Sequence, residues 1–179
     1  PKLSRPHHNT EREMSTLYPT ASTTWVPFVR FKIPGIPEPK RRPRFSIRGG
    51  RPHTYTDDRT RAYEDRVKLF AVSAMAGRKR VPAGVPVRLD VVGVYPLPKS
   101  KRRKTGPRGP FYKTTRTGGD ADNFYKVIAD SLNGIVYDDD SQIAIPRGEV
   151  VLAEPPDDPR AEVSVFVPRA WLTATGGSR

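Results

Sequence analysis

Residues Gly119 to Gln142 read GDADNFYKVIADSLNGIVYDDDSQ and place Asp120, Asp122, Asp130, Asp138, Asp139 and Asp140 within 24 residues. Between the acids, Phe124, Val127, Ile128 and Leu132 recur at helical spacing, which predicts a helix from about Ala121 to Asn133 with one buried stripe. Asn123, Lys126, Asp130 and Asn133 share its opposite face, and Asn133-Gly134 supplies a left-handed exit. Ile135 to Tyr137 then reads as a short strand that delivers Asp138, Asp139 and Asp140 to its end. A helix buried along one side, with acids at both approaches, forces the chain to return to the edge it left.

Carboxylates held close together repel, and each resists ionisation unless a cation lies among them. Oxygen donors of this kind suit the hard ions Mg²⁺ and Mn²⁺. Asp120 and Asp122 stand two apart at the helix start, so an extended lead-in points both the same way. Either can instead cap the helix, a role that accounts for one aspartate well and two poorly. Lys126 follows Asp122 at i+4, where it forms either an ordinary exposed ion pair or an ammonium placed beside a metal and a phosphate. Asp138 and Asp140 face one side and Asp139 the other if the strand continues; the residues alone leave open which of them join the ion. A calcium-binding hand does not fit, because counting from Asp120 puts Phe124, Tyr125 and Ser131 at positions 5, 6 and 12. There is no phosphate-binding Gly-Lys-Ser/Thr loop, and His53 is the only histidine beyond His7 and His8 near the N-terminus, so nucleophilic histidine chemistry has little support.

The acids lie in a chain of 179 residues with a formal net charge of +13. Lys40 to Pro52 carries six Lys/Arg and no acid, among them Lys40, Arg41, Arg42 and Arg44. Lys99 to Gly119 carries eight and no acid, among them Lys101, Arg102, Arg103, Lys104, Lys113 and Arg116. Taking those fourteen from the 32 basic residues leaves 18 against 19 acids, so the whole positive excess sits in two short segments. That is the footprint of a polyanion partner, nucleic-acid phosphate above all, against solvated loops as the plainer reading. Phe111 and Tyr112 lie inside the second segment, where they either stack on an unpaired base or anchor the loop on the sheet. No apolar run approaches a membrane span, and no apolar leader core suggests export. The absence of cysteine fits a reducing, cytoplasmic setting.

Along the chain, residues 1 to 25 read as a disordered polar tail, residues 26 to 169 as one domain, and the stretch from 170 onward as a loose end. Trp25 to Ile33 reads as a strand closed by Pro34, Pro37 and Pro39. Asp57 and Asp58 offer caps to a helix in which Tyr63, Val67, Phe70, Ala71 and Ala74 form the buried stripe, Glu64 and Lys68 pair, and Gly77 is the stop. Val85 to Tyr95 reads as a main-sheet strand, and the basic loop follows it. Gly148 to Ala153 and Ala161 to Pro168 read as a closing antiparallel pair around PPDDP. The order argues an α+β fold, a mixed sheet with two helices and a long basic loop, rather than a doubly wound one.

The segment GDADNFYKVIADSLNGIVYDDDSQI resembles the signature of RusA-type Holliday junction resolvases: D-x-D-N-x-x-K, an amphipathic helix ending near Asn-Gly, then Asp-Asp-x-Gln. Upstream, PGIPEPKRRPRF and YTDDRTRAYEDRV are similar to the basic strand-loop and first helix of phage-borne members. Together the matches span Phe28 to Pro168. The resemblance implies a homodimeric, Mg²⁺-dependent endonuclease that nicks opposing strands of four-way DNA junctions in recombination and repair, with no small-molecule cofactor. It places the essential acids on Asp120, Asp122, Asp139 and Asp140, and the essential lysine on Lys126. Asp138 is an extra acid beside that pattern.

Two competing functions fit parts of the same sequence. A flap or other branched-DNA nuclease would use the same carboxylates. A non-catalytic basic nucleic-acid-binding protein would use the two basic tracts, but the acid cluster would then weaken phosphate binding unless a metal filled it.

Overall fold

The computed structural model describes residues 23–41, 44–55, 57–99, 111–113, 120–153 and 157–175. The polar tail through residue 22 and most of the second basic loop, including Lys101, Arg102, Arg103, Lys104 and Arg116, lie outside the described residues, as does Arg42.

The most apolar strand sits at the centre of the sheet. β4 (Val87–Pro96) buries Val87, Leu89 and Val91 on one face. It is flanked by β7 (Arg160–Pro168), antiparallel, and by β6 (Ile143–Ala153), parallel. β1 (Trp25–Pro34) pairs with β7, and β5 (Phe111–Tyr112) pairs with β6, both antiparallel. The order is therefore β1-β7-β4-β6-β5. A separate hairpin joins β2 (Arg44–Arg48) to β3 (Arg51–Tyr55). Its turn, Gly49-Gly50, has positive φ at both residues, a conformation glycine adopts without steric cost.

Two helices cover one face of the sheet. α1 (Asp58–Met75) buries Tyr63, Val67, Ala71 and Met75, and α2 (Ala121–Leu132) buries Phe124, Val127, Ile128 and Leu132. These side chains form one core with Val29, Ile33, Leu89, Val91, Val163, Val165 and Val167. The opposite face carries polar pairs: Lys32 to Glu162 at 3.4 Å, Arg88 with Asp90, and the Arg88 guanidinium 4.2 Å above the Phe166 ring. The α+β class and mixed sheet agree with expectation, and a third, short helix, α3 (Arg169–Ala174), follows β7. Trp171 packs edge-on against Phe28 at 5.9 Å, so the stretch expected to be loose is ordered as far as Thr175.

Several local expectations are corrected. β6 and β7 are not hairpin partners, because β4 lies between them. Pairing neighbours in sequence is the common outcome, but here the apolar β4 is buried by taking a strand on each side. β6 also begins at Ile143, with Pro146 inside it. Pro146 is tolerated because β5 reaches only Val151 and Leu152, so along this stretch β6 has β4 as its neighbour among the described strands. Ile135 to Tyr137 is a turn rather than a strand, joined to the rest by isolated bridges between Tyr137 and Val81 or Asn133. The buried Tyr137 hydroxyl donates to the Ala129 carbonyl at 2.8 Å and locks that turn under α2. In α1, Lys68 turns to Asp65 at 3.5 Å instead of Glu64, because Glu64 faces Lys40 from outside the helix. α1 ends with Ala76 in the left-handed region (φ 47°), followed by Gly77.

Candidate active site

The chain arrives extended at Asp120, which occupies the N-cap position of α2 (φ −87°, ψ 158°). Its carbonyl accepts the first helical bond, from Phe124 N at 3.1 Å, but its carboxylate makes no capping hydrogen bond. Capping therefore does not account for this side chain. Asp122 lies in the first turn and Lys126 one turn on, both exposed because the apolar stripe is turned to the sheet. Among the described residues no ion pair within 4 Å joins Asp122 to Lys126, so the plain i,i+4 bridge is absent. The helix N-terminus adds a partial positive charge near the two free carboxylates.

The third turn of the same face is occupied. Asp130 receives Lys40, whose ammonium also lies 3.9 Å from Glu64 of α1. The Lys40 amide donates to the Asn123 carbonyl at 3.0 Å. Lys40 thus staples the first basic segment onto α2 and ties it to α1; its charge is used within the protein. Arg41 likewise lies 3.6 Å from Glu38 and 3.9 Å from Asp57.

The three consecutive aspartates have separate duties. Asp138 accepts from Arg80 Nε and from the Ala83 amide, and these bonds hold its carboxyl below the ordinary range. Asp139 caps the 3₁₀ turn Asp140–Gln142: it accepts from the Ser141 amide at 2.9 Å, while Gln142 accepts the Asp139 amide at 3.0 Å. Bonds from Ser141 lower its carboxyl as well. Gln142 also donates to the carbonyls of Pro82 (2.8 Å) and Val85 (2.9 Å), which ties the turn to the loop that leads into β4. The Asp140 carbonyl accepts from the Ile143 amide, but its carboxylate makes no hydrogen bond among the described residues, and the residue is half-buried where the turn packs against α2.

Tyr125, beside Lys126, marks where these parts meet. Its ring lies over Gly148, where a Cβ would come within 3.3 Å. Its hydroxyl is buried without a hydrogen-bond partner among the described residues. Burial, then the charges of Asp90 and Asp140, hold that phenol well above its ordinary range. Tyr125 and Asp90 were not singled out by the sequence. Asp90 sits in an unremarkable strand pattern, and Tyr125 occupies a variable position of the D-x-D-N-x-x-K motif. Asp90 is held by Arg88 at 2.9 Å.

The structure therefore places the Asp140 charge within reach of Tyr125 on α2, commits Asp139 to a cap, and turns Asp138 to Arg80. Among the described residues no three acidic or histidine side chains gather into a closed metal cluster. The donor chemistry still fits a hard cation, because Asp120, Asp122 and Asp140 are carboxylates with no other partner among those residues. Of the aromatics in the second basic segment, Phe111 and Tyr112 form β5 against Leu152 and Val151, which anchors their backbone on the sheet, although the Tyr112 side chain stays exposed. Lys113 donates its amide to Val150 and lies 5.8 Å from the Tyr95 ring.

The family described as Endodeoxyribonuclease RusA matches residues 34–165, from the end of β1 to the middle of β7. An uncharacterized protein, YqaN of Bacillus subtilis (strain 168), is 31% identical over 142 residues, covering 76% of this chain and 94% of the relative. The matched span contains the α2 acids, Lys126 and the 3₁₀ turn, and the chain belongs to the RusA endodeoxyribonuclease family.

Proposed function

We propose that the protein is a Mg²⁺-dependent endonuclease that resolves four-way DNA junctions by paired, symmetric nicks, acting as a homodimer in recombination and repair, with Mn²⁺ able to replace Mg²⁺. The observation that carries this reading is the head of α2, where Asp120 leaves its capping duty unfilled and Lys126 has no bridge to Asp122.

Asp120, Asp122 and Asp140 would hold the ion, with the second oxygen of Asp139 beside them. When bound, the ion supplies a nucleophilic water and stabilises the leaving 3′ oxygen. The protein's own residues do the remainder. Lys126 offers a fixed positive charge beside the scissile phosphate and offsets the negative charge that builds there. Lys40, through Asp130 and Glu64, holds the first basic segment against the catalytic helix. The remaining Lys and Arg of both basic segments grip phosphates and so select shape over base identity. Tyr125 packs its ring from α2 over Gly148 of β6, within electrostatic reach of Asp140.

The test is a synthetic mobile four-way junction incubated with Mg²⁺, with wild type compared against Asp122→Asn. Paired symmetric nicks that vanish in the variant support the reading. Cleavage of flaps or forks in preference to junctions replaces it with a different branched-DNA nuclease. Junction binding without cleavage under either metal leaves only a binding protein.

A further inference from the structure

The hairpin β2–β3 packs on no other helix or strand to any extent among the described residues. Strand alternation puts Phe45 and Ile47 on one side of it, and their side chains are 78% and 79% exposed. Register sets the exposed Pro52 opposite Ile47, which extends the apolar side across both strands. An amphipathic hairpin with its apolar side in water is unfavourable for the isolated chain. Three facts indicate what covers it. Residues 40 to 52 carry six Lys/Arg and no acid, so the partner is a polyanion. The neck of the hairpin is fixed at the catalytic helix, since Lys40 is bonded to Asn123 and Asp130, and Arg41 lies 3.9 Å from Asp57 on the return side. Phe, Ile and Pro are side chains that wedge between base steps of bent or opened DNA.

We propose that the hairpin is a wedge: Phe45 and Ile47 enter the branch point of the DNA and hold its bases unstacked while the strand beside it lies at Asp122 and Lys126. The proposal rests on the junction-resolving reading of the same site and names the residues that distinguish a junction from a duplex. A five-residue strand spans roughly 17 Å, enough to reach across a groove about 12 Å wide. Linear DNA offers no unstacked centre, so the apolar side gains nothing there and the surrounding arginines supply the binding. Phe111 and Tyr112 are less suited, since their backbone is tied into the sheet.

The experiment uses the full chain and a four-way junction carrying 2-aminopurine at the branch point, whose fluorescence rises on unstacking, with Ca²⁺ in place of Mg²⁺ to prevent cutting. Wild type should raise the signal several-fold. Phe45→Ser with Ile47→Ser should remove most of the rise and lower the preference for junction over linear duplex about tenfold, while duplex affinity and its salt dependence stay unchanged. Phe45→Trp, which keeps a flat ring, should retain the rise and guards against a folding defect in the double variant. An undiminished rise in the double variant overturns the wedge. So does an equal loss of duplex and junction affinity, or conversion of a dimer to a monomer in sedimentation, which would make this face a contact between copies. If the wild type opens no junction in Ca²⁺ and cuts none in a parallel Mg²⁺ reaction, the junction-resolving reading itself fails; if wild type and double variant open alike in Ca²⁺ and cut alike in Mg²⁺, the wedge fails alone.

Discussion

Asp120 stands where a capping side chain belongs and makes no capping bond, which separates it from Asp139, whose carboxylate is bound to the Ser141 amide. That difference decides what substitutions should do. Asp122→Asn removes one negative charge from the site, so cleavage should disappear while metal-free junction binding stays equal or becomes tighter, measured by gel shift; weaker binding would count against this acid as a site residue. Lys126→Ala should slow cleavage at least a hundredfold, yet shift the unfolding free energy by less than about 0.5 kcal/mol, because no bridge is lost. Lys126→Arg should restore cleavage only in part, since guanidinium and ammonium differ in shape and proton chemistry. Lys40 is the contrasting case. Its charge is spent on Asp130 and Glu64, so Lys40→Met should leave the salt slope of DNA binding unchanged while costing about 1.5 kcal/mol of stability, the scale of a hydrogen bond to a charged group.

At the scale of elements, α2 is positioned by contact with β4 and β6 through two glycines. A Cβ on Gly93 would sit 2.7 Å from Phe124 Cε1, and one on Gly148 would sit 3.3 Å from Tyr125 Cδ2. Gly93→Ala should therefore cost roughly 1–3 kcal/mol by overpacking and lower activity as well, because the displaced helix carries Asp122 and Lys126. Denaturant midpoints with cleavage rates on the same samples check both effects. The end of α1 offers the opposite change: Ala76 is left-handed (φ 47°), and Ala76→Gly should add up to about 1 kcal/mol. Periodicity made both long helices readable, including the stripe Phe124, Val127, Ile128 and Leu132. The hairpin and the first half of β6 escaped it, because Pro52 and Pro146 argue against a strand and the alternation of Phe45 and Ile47 is short and set inside a basic run that reads as a loop.

For the whole molecule, charge sets both stability and binding. Asp138, Asp139 and Glu162 are all lowered from their ordinary values of 3.8, 3.8 and 4.5, through Arg80, Ser141 and Arg160 respectively. Groups lowered in the folded state favour folding fully above those ordinary values, and that contribution is lost as pH falls through the lowered folded values. Stability should then begin to fall below about pH 4.5, the ordinary value of Glu162, and fall further below about pH 3.8 as the two aspartates follow; Asp138→Asn should flatten the drop in an acid titration followed by circular dichroism. Neutralising Lys101, Arg102, Arg103 and Lys104 together should weaken every DNA form, each lost phosphate contact reducing the slope of log K against log salt by about 0.9. A slope that does not move would mean the second basic segment is not a phosphate contact.

The local chemistry of this protein was legible in its sequence. The helix between two acid groups, the lysine one turn after Asp122, the two basic segments and the family motif all depend on spacing within about twenty residues, where helical and strand periods dictate which side chains share a face. Tertiary structure decided what spacing cannot reach. It engaged the Asp138 carboxylate with Arg80 and the Ala83 amide, more than fifty residues upstream in the chain, and left the Asp140 carboxylate unbonded among the described residues. It turned Lys40 from a candidate phosphate contact into a staple, because Asp130 arrives ninety residues later. It set β4 between β6 and β7, since burying the most apolar strand on both edges outweighs pairing neighbours in sequence. Each of these outcomes depends on which long-range partner satisfies a charge or covers an apolar edge, and that competition is settled only when the whole chain packs.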